Sequence, residues 1–152
     1  MHPIFFYTTL TCFILLKSFS SFAPNNSNAS LLQDVYSLTN QFRKSKGMPA
    51  LIIRRDLNDI AQKHSSDMAR GRVGFEHGGF AKRNSQAKRK IKSINSFAEN
   101  VAYGATTGKQ VVTMWKNSSG HRKNMLGRYK YIGIGIAKDR QGRIFYTQIF
   151  AG

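Results

Sequence analysis

Residues 131–150 read YIGIGIAKDRQGRIFYTQIF, and this stretch decides the fold class. Two apolar-rich, partly alternating runs, 131–138 and 143–150, flank DRQG, whose aspartate and glycine favour a turn. Alternation with a period of two suits a pleated strand that buries a face, so the pair reads as a β-hairpin.

Upstream of the hairpin the clearest periods are helical. Leu31, Val35, Leu38 and Phe42 recur at helical spacing, Ser30 and Gln33 have capping-box spacing, and Gly47 closes the segment. After the extended MPALIIRR (48–55), Asp56 is placed to cap a second helix whose Leu57, Ile60, Ala61, His64 and Met68 share one face. His64 on that face reads as a core histidine rather than a ligand. FAENVAYG (97–104) reads as a short strand, and Thr106 or Thr107 opens a third helix through Val111, Val112, Met114 and Trp115. Residues 71–96, rich in glycine and basic residues, have little periodicity and read as a long loop with at most one helical turn. In NSSGHRKNML (117–126), Ser118 or Ser119 is expected to cap a short helix and Gly120 to turn the chain. Trp115 and Tyr103 read as core packing, and Gln148 is the polar residue of its strand placed to face a cleft. Helices followed by a terminal hairpin indicate an α+β layered domain, not a parallel α/β sheet.

The chain of 152 residues suits one domain. Ile4 to Leu16 is an apolar run of about 13 residues, too short to span a bilayer, and small residues follow at Ser21 to Ala23. Residues 1–23 therefore read as a cleaved signal peptide, 24–30 as a polar linker and 31–152 as the folded domain. The single cysteine, Cys12, lies in the signal segment, so the mature chain is disulfide-free, relies on its core, and has no thiol nucleophile. The net charge is +17, from 24 Lys and Arg against 7 acids, and Lys17 is the only charged residue before Pro24. Such a charge draws polyanions without reading a sequence, and it serves solubility equally well. No HExxH or GxSxG motif occurs.

Taken in order, FEHGG, FAENVAYG, MWKNSSGHRKNML, YIGIGIA and YTQIF resemble the motif series of the CAP superfamily, the cysteine-rich secretory, antigen 5 and pathogenesis-related group, in its bacterial secreted branch. The likeness runs from about Leu31 to Gly152. It implies a three-layer α-β-α sandwich with a cleft lined by two histidines and acidic residues. His77 and His121 match the two histidines, Glu99 the glutamate of the GEN-type segment, and Asn100 its structural asparagine. Two positions depart from the pattern. Ala98 replaces the usual glycine, and Gly78, Gly79, Phe80, Ala81 and Lys82 follow His77 where many eukaryotic members carry a second glutamate.

On that resemblance, His77, Glu99 and His121 would supply three ligands of a tetrahedral zinc or other divalent-metal site with an open fourth position. Alternatively they hydrogen-bond across the cleft and hold two loops together. Arg122 and Lys123, with Lys88, Arg89 and Lys90, are expected to rim the cleft and favour anionic ligands. The expected protein is a monomer, secreted or periplasmic after signal cleavage, that binds a small hydrophobic or anionic ligand. An anionic cell-envelope polymer is a possible partner, and no specific nucleic acid recognition is expected. The alternatives are a metal-dependent hydrolase using Glu99 as base and a charge-driven polyanion-binding protein.

Overall fold

The computed structural model describes residues 27–152, so the signal-peptide reading of residues 1–23 lies outside the described residues. The chain runs α1 (Ser27–Ser45), β1 (Ile52–Ile53), α2 (Arg55–Ala69), α3 (Phe80–Lys90), β2 (Phe97–Tyr103), α4 (Gly108–Asn117), α5 (Ser119–Met125), β3 (Tyr131–Lys138), β4 (Ile144–Ala151). The strands form one mixed sheet in the order β1-β3-β4-β2, with β1 parallel to β3 and the other pairings antiparallel. The expected hairpin is β3–β4, Tyr131 opposite Ala151 and Lys138 opposite Ile144. Its turn is fixed by Asp139, whose Oδ1 accepts from the amides of Gln141 and Arg143 at 3.0 and 2.8 Å.

All eight residues of β4 are buried, so both faces of the sheet are covered. On one face Val35, Val112, Trp115 and Met125 of α1, α4 and α5 meet Ile132, Ile134, Tyr146 and Phe150. On the other, Leu57, Ala61 and Ala87 of α2 and α3 meet Ile149 and Ala151. The result is the α-β-α sandwich of an α+β domain. Among the described residues no helix is long and apolar enough to cross a membrane.

The isoleucine–glycine alternation of β3 records how close α2 lies. A Cβ on Gly133 would stand 2.3 Å from the Leu57 carbonyl carbon, and one on Gly135 2.2 Å from that of Ala61. Beyond the two residues paired with β1, the outer edge of β3 is satisfied by α2 side chains. Asn58 Oδ1 accepts from the Ile134 amide at 2.9 Å, and the Gln62 amide group bonds both the N–H and the carbonyl of Ile136 at 3.0 and 2.9 Å.

Several local expectations are corrected. α1 begins at Ser27, inside the expected linker, so Ser30 and Gln33 form no capping box, and Gln33 donates to Ser37 instead. Asp56 lies in the first turn of α2 after the cap residue Arg54, whose guanidinium it accepts at 2.7 Å. Gly120 sits within α5, and Ser118 is its cap residue without a side-chain bond. The expected long loop contains α3, whose buried residues are Arg83 and Ala87. Arginine and alanine on the inner face hide the apolar period that marks a surface helix. Trp115 is core, but Tyr103 is 45% exposed. Thr107 does open α4, in a capping box with Gln110.

Candidate functional site

Glu99 lies in the middle of β2 with its side chain fully buried. A buried carboxylate needs compensation, and it comes from α3. Arg83 donates from Nε to Glu99 Oε2 at 2.6 Å and from Nη2 to Oε1 at 2.7 Å, a bidentate pair. The Arg83 Nη1 also donates to the Gly78 carbonyl at 2.7 Å, tying the glycine loop after His77 to the same guanidinium.

His77 stands against this pair, half exposed, with Nδ1 2.9 Å from Glu99 Oε1. The carboxylate only accepts, so the Nδ1 that faces it is a donor. His64, buried on α2, bonds the Glu76 carbonyl through Nε2 at 3.2 Å and lies 4.0 Å from Glu99 Oε1. Burial, and then the Arg83 cation, hold its pKa below the usual histidine value. The core reading of His64 is therefore correct in burial, but the residue is also a neighbour of the cleft carboxylate.

His121 reaches the cleft from α5. Asn100 holds its carbonyl through Nδ2 at 3.2 Å, and Asn124 bonds both Asn100 Oδ1 at 3.0 Å and the Glu99 carbonyl at 3.1 Å. Gln148 completes the network, accepting from Asn100 Nδ2 at 3.2 Å and donating to Thr39 of α1 at 2.9 Å. Fully buried, Gln148 braces α1, β2 and β4 and does not line the cleft. Burial first, and the nearby His77 second, push the His121 pKa down. Ala98 is accommodated in ordinary strand backbone, since no non-glycine residue among those described has a positive φ.

The imidazole of His121 borders an apolar pocket of about 300 Å³ with Phe75, Val101, Tyr103, Met114 and Trp115. Tyr103 and Met114 continue into a second cavity of about 670 Å³ along the start of α4. Phe75, Tyr103 and Met114 are each close to half exposed, unusual for large apolar side chains, and they are contiguous. None of Lys88, Arg89, Lys90, Arg122 and Lys123 lines the pocket at His121. Arg122 instead donates to the Lys116 carbonyl at 2.8 Å, and Lys88, Arg89 and Lys90 occupy the last turn of α3.

The set His77, Glu99 and His121 does not fit three ligands of one divalent ion. Both Glu99 oxygens already carry the Arg83 guanidinium, which a metal would have to displace from a buried position. Among the described residues, neither His77 Nε2 nor the His121 imidazole has a hydrogen-bond partner. Arg83 and Asn124 are not singled out by the sequence, and His64, Tyr103 and Trp115 read there only as core packing. Arg83 sits in a basic run that resembles a solvated flank, and Asn124 stands in the GHR segment with no pattern to mark it.

Comparison with known proteins gives a consistent set of relatives. The sequence model described as "CAP: Cysteine-rich secretory protein family" matches residues 36–150. The protein YkwD of Bacillus subtilis (strain 168) is 35% identical over 121 residues, 78% of this chain and 46% of its own length. An extracellular protein containing an SCP domain from Bacillus anthracis superposes with a TM-score of 0.69 at 27% identity, covering 82% of this chain and 41% of that one. A cysteine-rich secretory protein from Staphylococcus aureus gives 0.69 at 28% identity, covering 84% and 40%. The chain thus spans less than half the length of each of these three relatives.

Proposed function

The chain belongs to the CAP family of cysteine-rich secretory proteins, and from that premise we propose that it is a secreted, monomeric module that binds a small hydrophobic ligand beside His121. The observation that carries this reading is the half-exposed apolar surface of Phe75, Tyr103 and Met114 leading into the pocket at His121. An apolar tail would lie along this surface, and a polar or anionic head would meet the imidazoles of His77 and His121. The extracellular SCP-domain relative supports the secreted reading.

A divalent ion at this cleft would be held by His77 Nε2 and His121, with Glu99 acting behind His77 as the partner that orients its ring. The lining beside His121 is apolar, so in this reading the ligand is held without a metal. The hydrolase reading is disfavoured because Glu99, its base, is paired with Arg83.

Trp115 is the only tryptophan and lines the pocket, so its fluorescence reports occupancy directly. Titration with decanoate and with decanol is expected to give a saturable change for at least one of them. Met114→Lys, which puts a cation on the apolar wall, should weaken binding by about tenfold or more, the cost of burying a charge against an apolar tail. His121→Ala should weaken decanoate more than decanol. An unsaturable response identical in all three proteins would reject the pocket. Excess EDTA should leave the binding curve unchanged; loss of binding on chelation would restore a metal to the site.

A further inference from the structure

We infer that a second site, for an acidic carbohydrate polymer, lies in the basic groove between the end of α2 and the β3–β4 turn. The groove has a volume of about 660 Å³, and Arg70, Lys138, Arg140 and Arg143 converge on it above Met68 and Phe145. Its one acid is engaged: Asp139 takes two backbone amides and accepts from Arg143 Nε at 2.7 Å. Arg70, Lys138 and Arg140 are exposed and make no ion pair with any described residue. The carbonyls at the end of α2, which would repel an anion, are covered by the amides of Arg70, Gly71 and Arg72 at 2.9 to 3.1 Å. Several cations held on one concave, hydrogen-bonded surface repel each other until an anion joins them.

The aromatic neighbours narrow the ligand class. Phe145 of the groove floor stacks on Tyr103 with ring centroids 5.7 Å apart and 20° between planes, and Phe75 meets Tyr103 edge-on at 4.6 Å. Tyr103 and Phe75 are 45% and 47% exposed, so the platform is open to solvent. Flat C–H faces of sugar rings suit such rings, and carboxylate or sulfate groups suit arginines and lysines. A chain that offers both in repeat matches the groove and platform together. The cationic groove is separate from the pocket at His121, because Arg70, Lys138 and Arg140 do not line that pocket, whereas the platform of Phe75 and Tyr103 is shared with it, so the groove triple is the variant that tests this site alone.

The test is calorimetry of the protein at low and moderate salt with polygalacturonate, dextran sulfate, neutral dextran and single-stranded oligothymidine. The triple variant Arg70→Ser/Lys138→Ser/Arg140→Ser removes the groove cations. Lys88→Ser/Lys90→Ser/Arg89→Ser, on the exposed end of α3, removes the same charge elsewhere. All three variants, Tyr103→Ala included, are checked for native circular dichroism. The groove triple should weaken at least one acidic glycan by about tenfold or more while the control changes it by less than about threefold. Tyr103→Ala should weaken the same glycan further, and neutral dextran should not bind. Preference for the carboxylated or the sulfated polymer identifies the anionic group. Equal losses in both triples would reduce the effect to diffuse charge, and tighter binding of oligothymidine than of either glycan would make the groove a nucleic-acid surface; either result overturns the inference, as does no binding at all.

Discussion

Arg83 and Glu99 set the chemistry of the cleft between them. The carboxylate is buried, both its oxygens accept from one guanidinium, and His77 is held against it. Removing one partner leaves the other as an uncompensated buried charge, so Arg83→Met should cost about 3 to 5 kcal/mol in urea denaturation. Replacing both, as Arg83→Met/Glu99→Leu, should recover most of that loss; a double variant as unstable as the single would contradict the ion-pair account. The two histidines with shifted pKa values give a pH dependence of defined sign. His64 and His121 both lie below the ordinary value of 6.5 in the folded protein, so the unfolded chain takes up protons first as pH falls. Stability should be full above about pH 6.5 and decline below it, and His64→Gln, which keeps a donor for the Glu76 carbonyl, should flatten the decline. A stability that rises on acidification from pH 7.5 to 5.5 would show that these groups are not held neutral. His77, Glu99, Asn100 and His121 were legible through their motifs alone, since 44 positions separate the two histidines. Arg83 was illegible because a buried arginine and a solvated one look alike in a basic run.

At the scale of the elements, close approach and capping do the work that composition conceals. α2 rests on the backbone of β3, and the sequence signal for this is glycine at 133 and 135. Read as strand alternation, the same letters gave the hairpin but not the helix lying on it. Gly135→Ala should destabilise by about 3 kcal/mol, at the upper end for overpacking, because its Cβ would meet main-chain atoms of α2 that cannot rotate away. Gly120→Ala, in α5 with open space around it, should stabilise by about 0.5 to 1 kcal/mol. Thermal denaturation of the two variants should therefore move in opposite directions, and equal shifts would remove the close-packing argument. α3 escaped the periodicity reading because its inner face carries Arg83 and Ala87, where an amphipathic helix would show leucines.

Over the whole molecule, the hairpin and the preceding helices were sufficient for an α+β class, but periodicity does not say which faces meet. The third layer followed from the motif order, and β4 buried along its full length is its physical expression. The cationic surface divides by shape: the end of α3 is an exposed flank, and the groove at the β3–β4 turn is concave and adjoins aromatic rings. The apolar pocket belongs to the opposite chemical class, and its wall residues are few and identifiable by amide and indole signals. The most direct measurement is a ¹H–¹⁵N correlation titration of the protein with decanoate. Binding at the cleft predicts saturable shifts confined to residues 75, 101–103, 114–118 and 121, with the Trp115 indole among them, and little change at Arg70, Lys138 and Arg140. Shifts centred on those three cations, or no saturable shift anywhere, would contradict a hydrophobic ligand site beside His121.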